Sequence, residues 1–143
     1  MYRPTNRERE ALRQMYMRSE QIKDALIRTN ATEELVADDY FIQAAFTKLT
    51  EEIGEQAKHL SNDFREANNE IPWAAIAGMR NRLVHAYGSV NWKLLWESLT
   101  VFIPKMASYI DEHFKTELVN PFVETNVDNV DVFFDIEVQK GEF

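Results

Sequence analysis

From Ile42 to Phe64 the apolar residues Ile42, Phe46, Leu49, Ile53, Ala57, Leu60 and Phe64 return at steps of three or four, a period that an α-helix gathers into one stripe. A helix with this heptad-like stripe must lay it against neighbours, so the chain is committed to helix-on-helix packing. Asp38 or Asp39 is placed to cap its start, and the polar run Ala67-Asn68-Asn69-Glu70 marks its end. The neighbours are legible too. Thr5-Asn6-Arg7-Glu8 has the form of a capping box, and Leu12, Met15, Ile22 and Leu26 follow with an interruption at Ser19, which predicts a first helix ending near Thr29-Asn30. Pro72 stands in a first-turn position ahead of Trp73, Ile76, Ala77, Leu83 and Val84, predicting a shorter third helix that stops around Gly88. Asn91 restarts the chain for a fourth helix through Leu95, Leu99, Phe102, Met106, Ile110 and Phe114. Pro104 lies inside that pattern and predicts a kink near Thr100-Val101. Four amphipathic helices with short polar connectors predict an all-α, up-and-down four-helix bundle over residues 1–115.

The chain has 143 residues, 45% of them hydrophobic, enough for a single core. Without cysteine, neither a disulfide framework nor a thiolate metal site can form. The start, Met1-Tyr2-Arg3-Pro4-Thr5, lacks the apolar core of a signal peptide, and no apolar run approaches the ~18 residues needed to cross a bilayer. A soluble, cytoplasmic protein with no membrane partner is expected.

A net charge of -8 argues at first against nucleic acid as a partner, because binding a phosphate backbone needs basic surface. The distribution of that charge points the other way. From Thr116 onward, Glu117, Glu124, Asp128, Asp131, Asp135, Glu137 and Glu142 face only Lys140, so this stretch holds most of the negative charge. Ile71 through Trp96 contain Arg80, Arg82 and Lys93 and no acidic residue, a basic island. The acidic segment 116–143 partly alternates apolar and acidic residues between Val127 and Val138, a strand-type pattern suited to a partner-binding arm.

Within the island, Arg80-Asn81-Arg82-Leu83-Val84-His85-Ala86-Tyr87 places a guanidinium, an imidazole and a phenol in eight residues. Spacing alone is explained by solvated arginines, a histidine favoured at a helix end and an edge-of-core tyrosine. On a straight helix advancing ~100° per residue, His85 points roughly 140° away from Arg80, while Tyr87 returns to the Arg80 face. Convergence of Arg80 and His85 therefore requires a loosened helix or two copies facing each other across a dimer axis, and a dimer is the expectation. Arginine suits a phosphate, and histidine can move a proton near neutrality. With a 2′-hydroxyl as nucleophile the two suffice to cut RNA without a metal. Elsewhere, Glu55 and His59 form only a weak candidate metal pair, with His59 expected at the surface, and His113 reads as helix-end decoration. Positions 56, 82 and 110, three before each histidine, are Gln, Arg and Ile, so the Glu-x-x-His pairs of a di-metal bundle are missing. Trp73, Trp92 and Trp96 are expected in the core or at an interface.

The run Ile53-Gly54-Glu55-Gln56-Ala57-Lys58-His59-Leu60-Ser61, the phrase Ile71-Pro72-Trp73 with Ile76 through Tyr87, and Val90 through Glu97 resemble HepT-like proteins of the HEPN superfamily. The resemblance spans roughly residues 8–114 and centres on an R-x4-H-x-Y motif filled by Arg80, His85 and Tyr87, with Asn81 as the polar residue after the arginine. It implies a metal-independent endoribonuclease toxin of a toxin–antitoxin system, acting as a homodimer with the motifs at its interface and needing no cofactor. Arg80, His85 and Asn81 would be catalytic, and Arg82 and Lys93 would bind RNA. A cognate MntA-type nucleotidyltransferase antitoxin is implied, with Tyr87 as the acceptor of AMP. The alternative is a non-catalytic helical module that binds and regulates such a nucleotidyltransferase. The segment from Thr116 onward has no counterpart in the resemblance.

Overall fold

The computed structural model describes residues 2–83 and 90–119, and every element among them is helical. Helix α1 (Asn6–Arg28) opens on the expected capping box: the Glu8 N–H donates to Thr5 Oγ1 at 3.1 Å and the Thr5 N–H to Glu8 Oε1 at 3.0 Å. It closes as expected at Thr29, through a Schellman turn in which Ala31 N–H reaches back to Leu26 O and Asn30 takes a left-handed φ of 49°. Ser19 does not interrupt the buried stripe. Its hydroxyl donates to Met15 O at 2.7 Å, which satisfies it inside the helix that it helps to bury.

A short helix that the periodicity did not announce, α2 (Glu33–Asp38), follows, capped by Thr32 and anchored by fully buried Val36. Asp39 then caps α3 (Tyr40–Ala57), accepting from Phe41 N–H and Ile42 N–H. The long second helix expected from the stripe is broken. After Ala57 the chain turns, and Ser61 caps a separate α4 (Asn62–Ala67) by accepting from Phe64 N–H at 3.1 Å. Leu60 and Phe64 stay buried on both sides of the break, so the apolar stripe survives although the helix does not.

The third helix is likewise divided, into α5 (Trp73–Ala77) and α6 (Met79–Leu83), with Gly78 between them. Its expected stop near Gly88 lies outside the described residues. Asn91 caps α7 (Trp92–Glu97), its side-chain oxygen accepting from Leu94 N–H at 3.0 Å. The expected kink takes the form of a π-helical turn over Ser98–Phe102, ahead of α8 (Ile103–Phe114). Pro104 cannot donate to Thr100 O, and its ring crowds that carbonyl. The turn widens so that Ile103 N–H bonds Ser98 O, five residues back.

Helix α1 packs against α3 and α8, α3 carries α5 and α6 on its other flank, and α2 covers α7. The result is an all-α bundle with a core running from Leu12 and Met15 through Ile53 to Leu99 and Ile110. One end is aromatic: Phe64 lies 5.3 Å from Trp73 and 5.4 Å from Phe114, ring centre to centre. Trp73 is a core residue as expected, and Trp92 and Trp96 pack partly buried against the same core. Asn68, which reads as part of a solvated turn, is buried instead. Its side chain donates to Phe64 O at 2.9 Å and accepts from the Tyr109 hydroxyl at 2.8 Å, while its backbone carbonyl accepts the Trp73 indole N–H. No helix among the described residues is long and apolar enough to cross a membrane.

Candidate functional site

The site begins with a glycine. Gly54, on α3, is buried, and a Cβ there would stand 2.9 Å from the carbonyl oxygen of Ile76 on α5. Only a residue without a side chain lets the two backbones meet this closely. That contact fixes where α6, directly after α5, lies relative to α3.

Helix α6 is anchored by the first and last of its described residues. Met79 and Leu83, four apart and therefore on one face, are buried at 4% and 0% exposure. Arg80, Asn81 and Arg82 between them are turned outward and exposed. The structure thus presents the motif's Arg80 together with Asn81 and Arg82. Leu83 O accepts from Asn91 N–H at 2.8 Å, which ties α6 directly to the start of α7. His85 and Tyr87 lie in the segment 84–89, outside the described residues, as does all of the acidic segment beyond Val119. Lys93 is exposed on α7, which packs beside α6.

The basic island does not stay basic in three dimensions. Helix α3 supplies two carboxylates to it, and Arg80 Nε lies 3.7 Å from Glu51 Oε1 with the arginine side chain 62% exposed. One turn further on, the Glu55 carboxyl is held below its usual range, first by a hydrogen bond from Lys58 Nζ at 2.7 Å and by that ammonium's charge, then by the charge of Arg80. Sequence reasoning missed Glu51. Its signal was available, since it precedes Gly54 by three and Glu55 by four and so shares the α3 face that the glycine presses against α5.

Glu55 and His59, the weak candidate metal pair, bond to other partners: Glu55 to Lys58, and His59 through Nδ1 to Arg7 Nε at 3.0 Å. His59 is a surface residue, as expected. His113 is exposed and lies over Tyr109, ring centres 4.2 Å apart. A groove of about 540 Å³ between α1 and α8, lined by Tyr16, Ser19, Lys23, Leu99, Pro104 and Asp111, includes no residue of the motif.

Comparison with known proteins points the same way. The family described as ribonuclease HepT-like matches residues 12–113. The protein named Putative RNase TTE0752, from Caldanaerobacter subterraneus subsp. tengcongensis, is 38% identical over 79 residues, covering 55% of this chain and 70% of its own. The Thermococcus cleftensis protein named Probable ribonuclease HepT is 37% identical over 79 residues, 52% of this chain and 72% of its own. Putative RNase MJ0127 of Methanocaldococcus jannaschii is 31% identical over 97 residues, 67% of this chain and 80% of its own. No solved structure matches the chain at a significant level.

Proposed function

This chain belongs to the family of HepT-like ribonucleases, RNA-cleaving enzymes of the HEPN type, and from that premise we propose that it is a metal-independent endoribonuclease toxin working through Arg80 and His85. The observation that carries the reading is the presentation of Arg80 on α6, where buried Met79 and Leu83 leave the guanidinium exposed within that family's motif.

The chemistry is a transfer within the substrate. A ribose 2′-oxygen attacks the adjacent phosphorus, the bond to the 5′-oxygen breaks, and the products are a cyclic phosphate and a 5′-hydroxyl. Arg80 donates to the phosphoryl oxygens as charge accumulates on them. His85 moves the proton between the attacking and departing oxygens, and Asn81 supports the phosphate beside Arg80. Arg82 and Lys93, exposed on neighbouring elements, hold the flanking RNA backbone. Two chains pair so that both copies of the motif share one cleft, which answers the divergent directions of Arg80 and His85 on a straight helix. An MntA-type nucleotidyltransferase acts as antitoxin by transferring AMP from ATP to the Tyr87 hydroxyl with release of pyrophosphate, adding a charged group to the motif.

A purified-protein assay on a defined RNA with chelator present tests this, reading both the cut and its terminal chemistry, with thermal melts alongside. Cleavage that leaves cyclic phosphates, survives chelation and disappears in Arg80→Ala and His85→Ala supports the reading. Cleavage that persists in both variants would leave a non-catalytic module that binds a nucleotidyltransferase as the better account.

A further inference from the structure

We propose that Glu51 is a positioning residue for RNA cleavage, holding the Arg80 guanidinium by its Nε edge and so presenting the paired terminal N–H groups to the scissile phosphate. The inference rests on the reading of Arg80 as the phosphate-binding group, and it adds a residue from a different helix to that site.

Three observations carry it. The contact is to Nε of Arg80, the donor on the inner edge of the guanidinium, with Glu51 Oε1 at 3.7 Å. A carboxylate on that side leaves the outer pair of nitrogens facing away from it, the pair whose parallel donors match two phosphoryl oxygens. Glu51 itself is well placed to act as a fixed point. Its side chain is 24% exposed against 62% for Arg80, so the carboxylate is the more confined partner. Its height along α3 is set by the close approach of Gly54 to Ile76 O, one turn away. Arg80 also needs such a partner, since its long side chain projects from an exposed position on α6. A flexible guanidinium must be ordered before it can stabilise a transition state, and an acidic neighbour restricts it in advance.

Glu51 is not needed for this by the fold. An ion pair this exposed contributes little to stability, so its removal should leave the melting temperature nearly unchanged. The kinetic signature is different. Glu51→Gln should lower kcat roughly tenfold, the scale expected when a reacting group is slightly misplaced. KM should stay level or fall, because a negative charge that repels RNA phosphates has gone. Glu51→Asp, which keeps the charge, should recover part of kcat. Glu55→Gln, which removes an equal charge near Arg80 but one bonded to Lys58, should retain the parent's kcat. In an Arg80→Lys background, Glu51→Gln should cause no further loss, because the group it orients is no longer a guanidinium.

Parental kcat in Glu51→Gln, an equal loss in Glu55→Gln, or the same fold-loss with and without Arg80 would overturn the proposal. These results separate it from the catalytic reading beneath it. An inactive Arg80→Ala beside a fully active Glu51→Gln removes only the positioning role, whereas a fully active Arg80→Ala removes both.

Discussion

Glu8, in the first turn of α1, accepts two hydrogen bonds from Ser61, one from the backbone N–H at 3.1 Å and one from the hydroxyl at 2.8 Å. Ser61 is also the cap of α4, so one carboxylate joins two helix starts that lie far apart in sequence. Burial pushes this carboxyl up, but the bonds from Thr5, Tyr2 and Ser61 outweigh it and hold the pKa at about 2 against an ordinary value of 4.5. Because the folded value is depressed, the stabilisation is present above about pH 5 and is lost as the pH falls toward 2. By linkage it amounts to about 3 kcal/mol. Urea titrations of the parent at pH 7 and pH 3 should show this loss, and Glu8→Gln should be less stable at pH 7 with a flatter pH dependence. Identical pH profiles for the two proteins would rule the linkage out.

Gly54 and Gly78 make a paired test of close packing. Gly54→Ala puts a methyl 2.9 Å from Ile76 O, a backbone atom that cannot step aside without moving α5. We expect a loss of about 1–3 kcal/mol despite the better helix propensity of alanine, with reduced RNA cleavage because α6 shifts with α5. A methyl at Gly78 would meet nothing nearer than Ala74 O at 3.5 Å, and its backbone is not left-handed. Gly78→Ala should be neutral or slightly stabilising in the same denaturation assay.

Asn68 joins α4, α5 and α8 through bonds to Phe64, Trp73 and Tyr109. Asn68→Ala leaves the Tyr109 hydroxyl and the Phe64 carbonyl without that side chain, and should cost about 2–3 kcal/mol. Tyr109→Phe removes one bond only, and should cost about 1 kcal/mol. The two losses should combine less than additively in the double variant, measured by urea midpoint.

For catalysis, Arg80→Ala should lower the cleavage rate by ~10²–10³, and Arg80→Lys should recover little because a point charge does not reproduce the fork. His85→Ala should lose a comparable ~10²–10⁴. His59→Ala and His113→Ala should match the parent, since His59 is held by Arg7 at the surface and His113 lies over Tyr109. Rates on a defined RNA oligonucleotide, with melts to confirm folding, check the set.

Incubation with an MntA-type nucleotidyltransferase and ATP should add the mass of AMP to one peptide. Fragmentation should place it on Tyr87, and Tyr87→Phe should abolish it. Adduct on another residue refutes the assignment.

Much of this protein was legible in its sequence because helical periodicity and capping are local. The stripe from Ile42 to Phe64, the Thr5-to-Glu8 box, the caps at Asp39 and Asn91 and the disturbance ahead of Pro104 each depend on residues within a few turns of one another. The grouping of Arg80, Asn81 and Arg82 was legible for the same reason, as was the family motif that they open. Contacts between distant segments decided the rest. The stripe through Leu60 and Phe64 cannot reveal that the helix breaks at Ser61, because both residues remain buried whether or not it does, and the partner that rewards the break is Glu8 on α1. Charge counted along Ile71 to Trp96 shows a basic island, whereas the electrostatics of Arg80 depend on Glu51 and Glu55. Those carboxylates arrive from α3 only because Gly54 lets two backbones touch, and an approach of that kind is a property of packed helices rather than of any one segment.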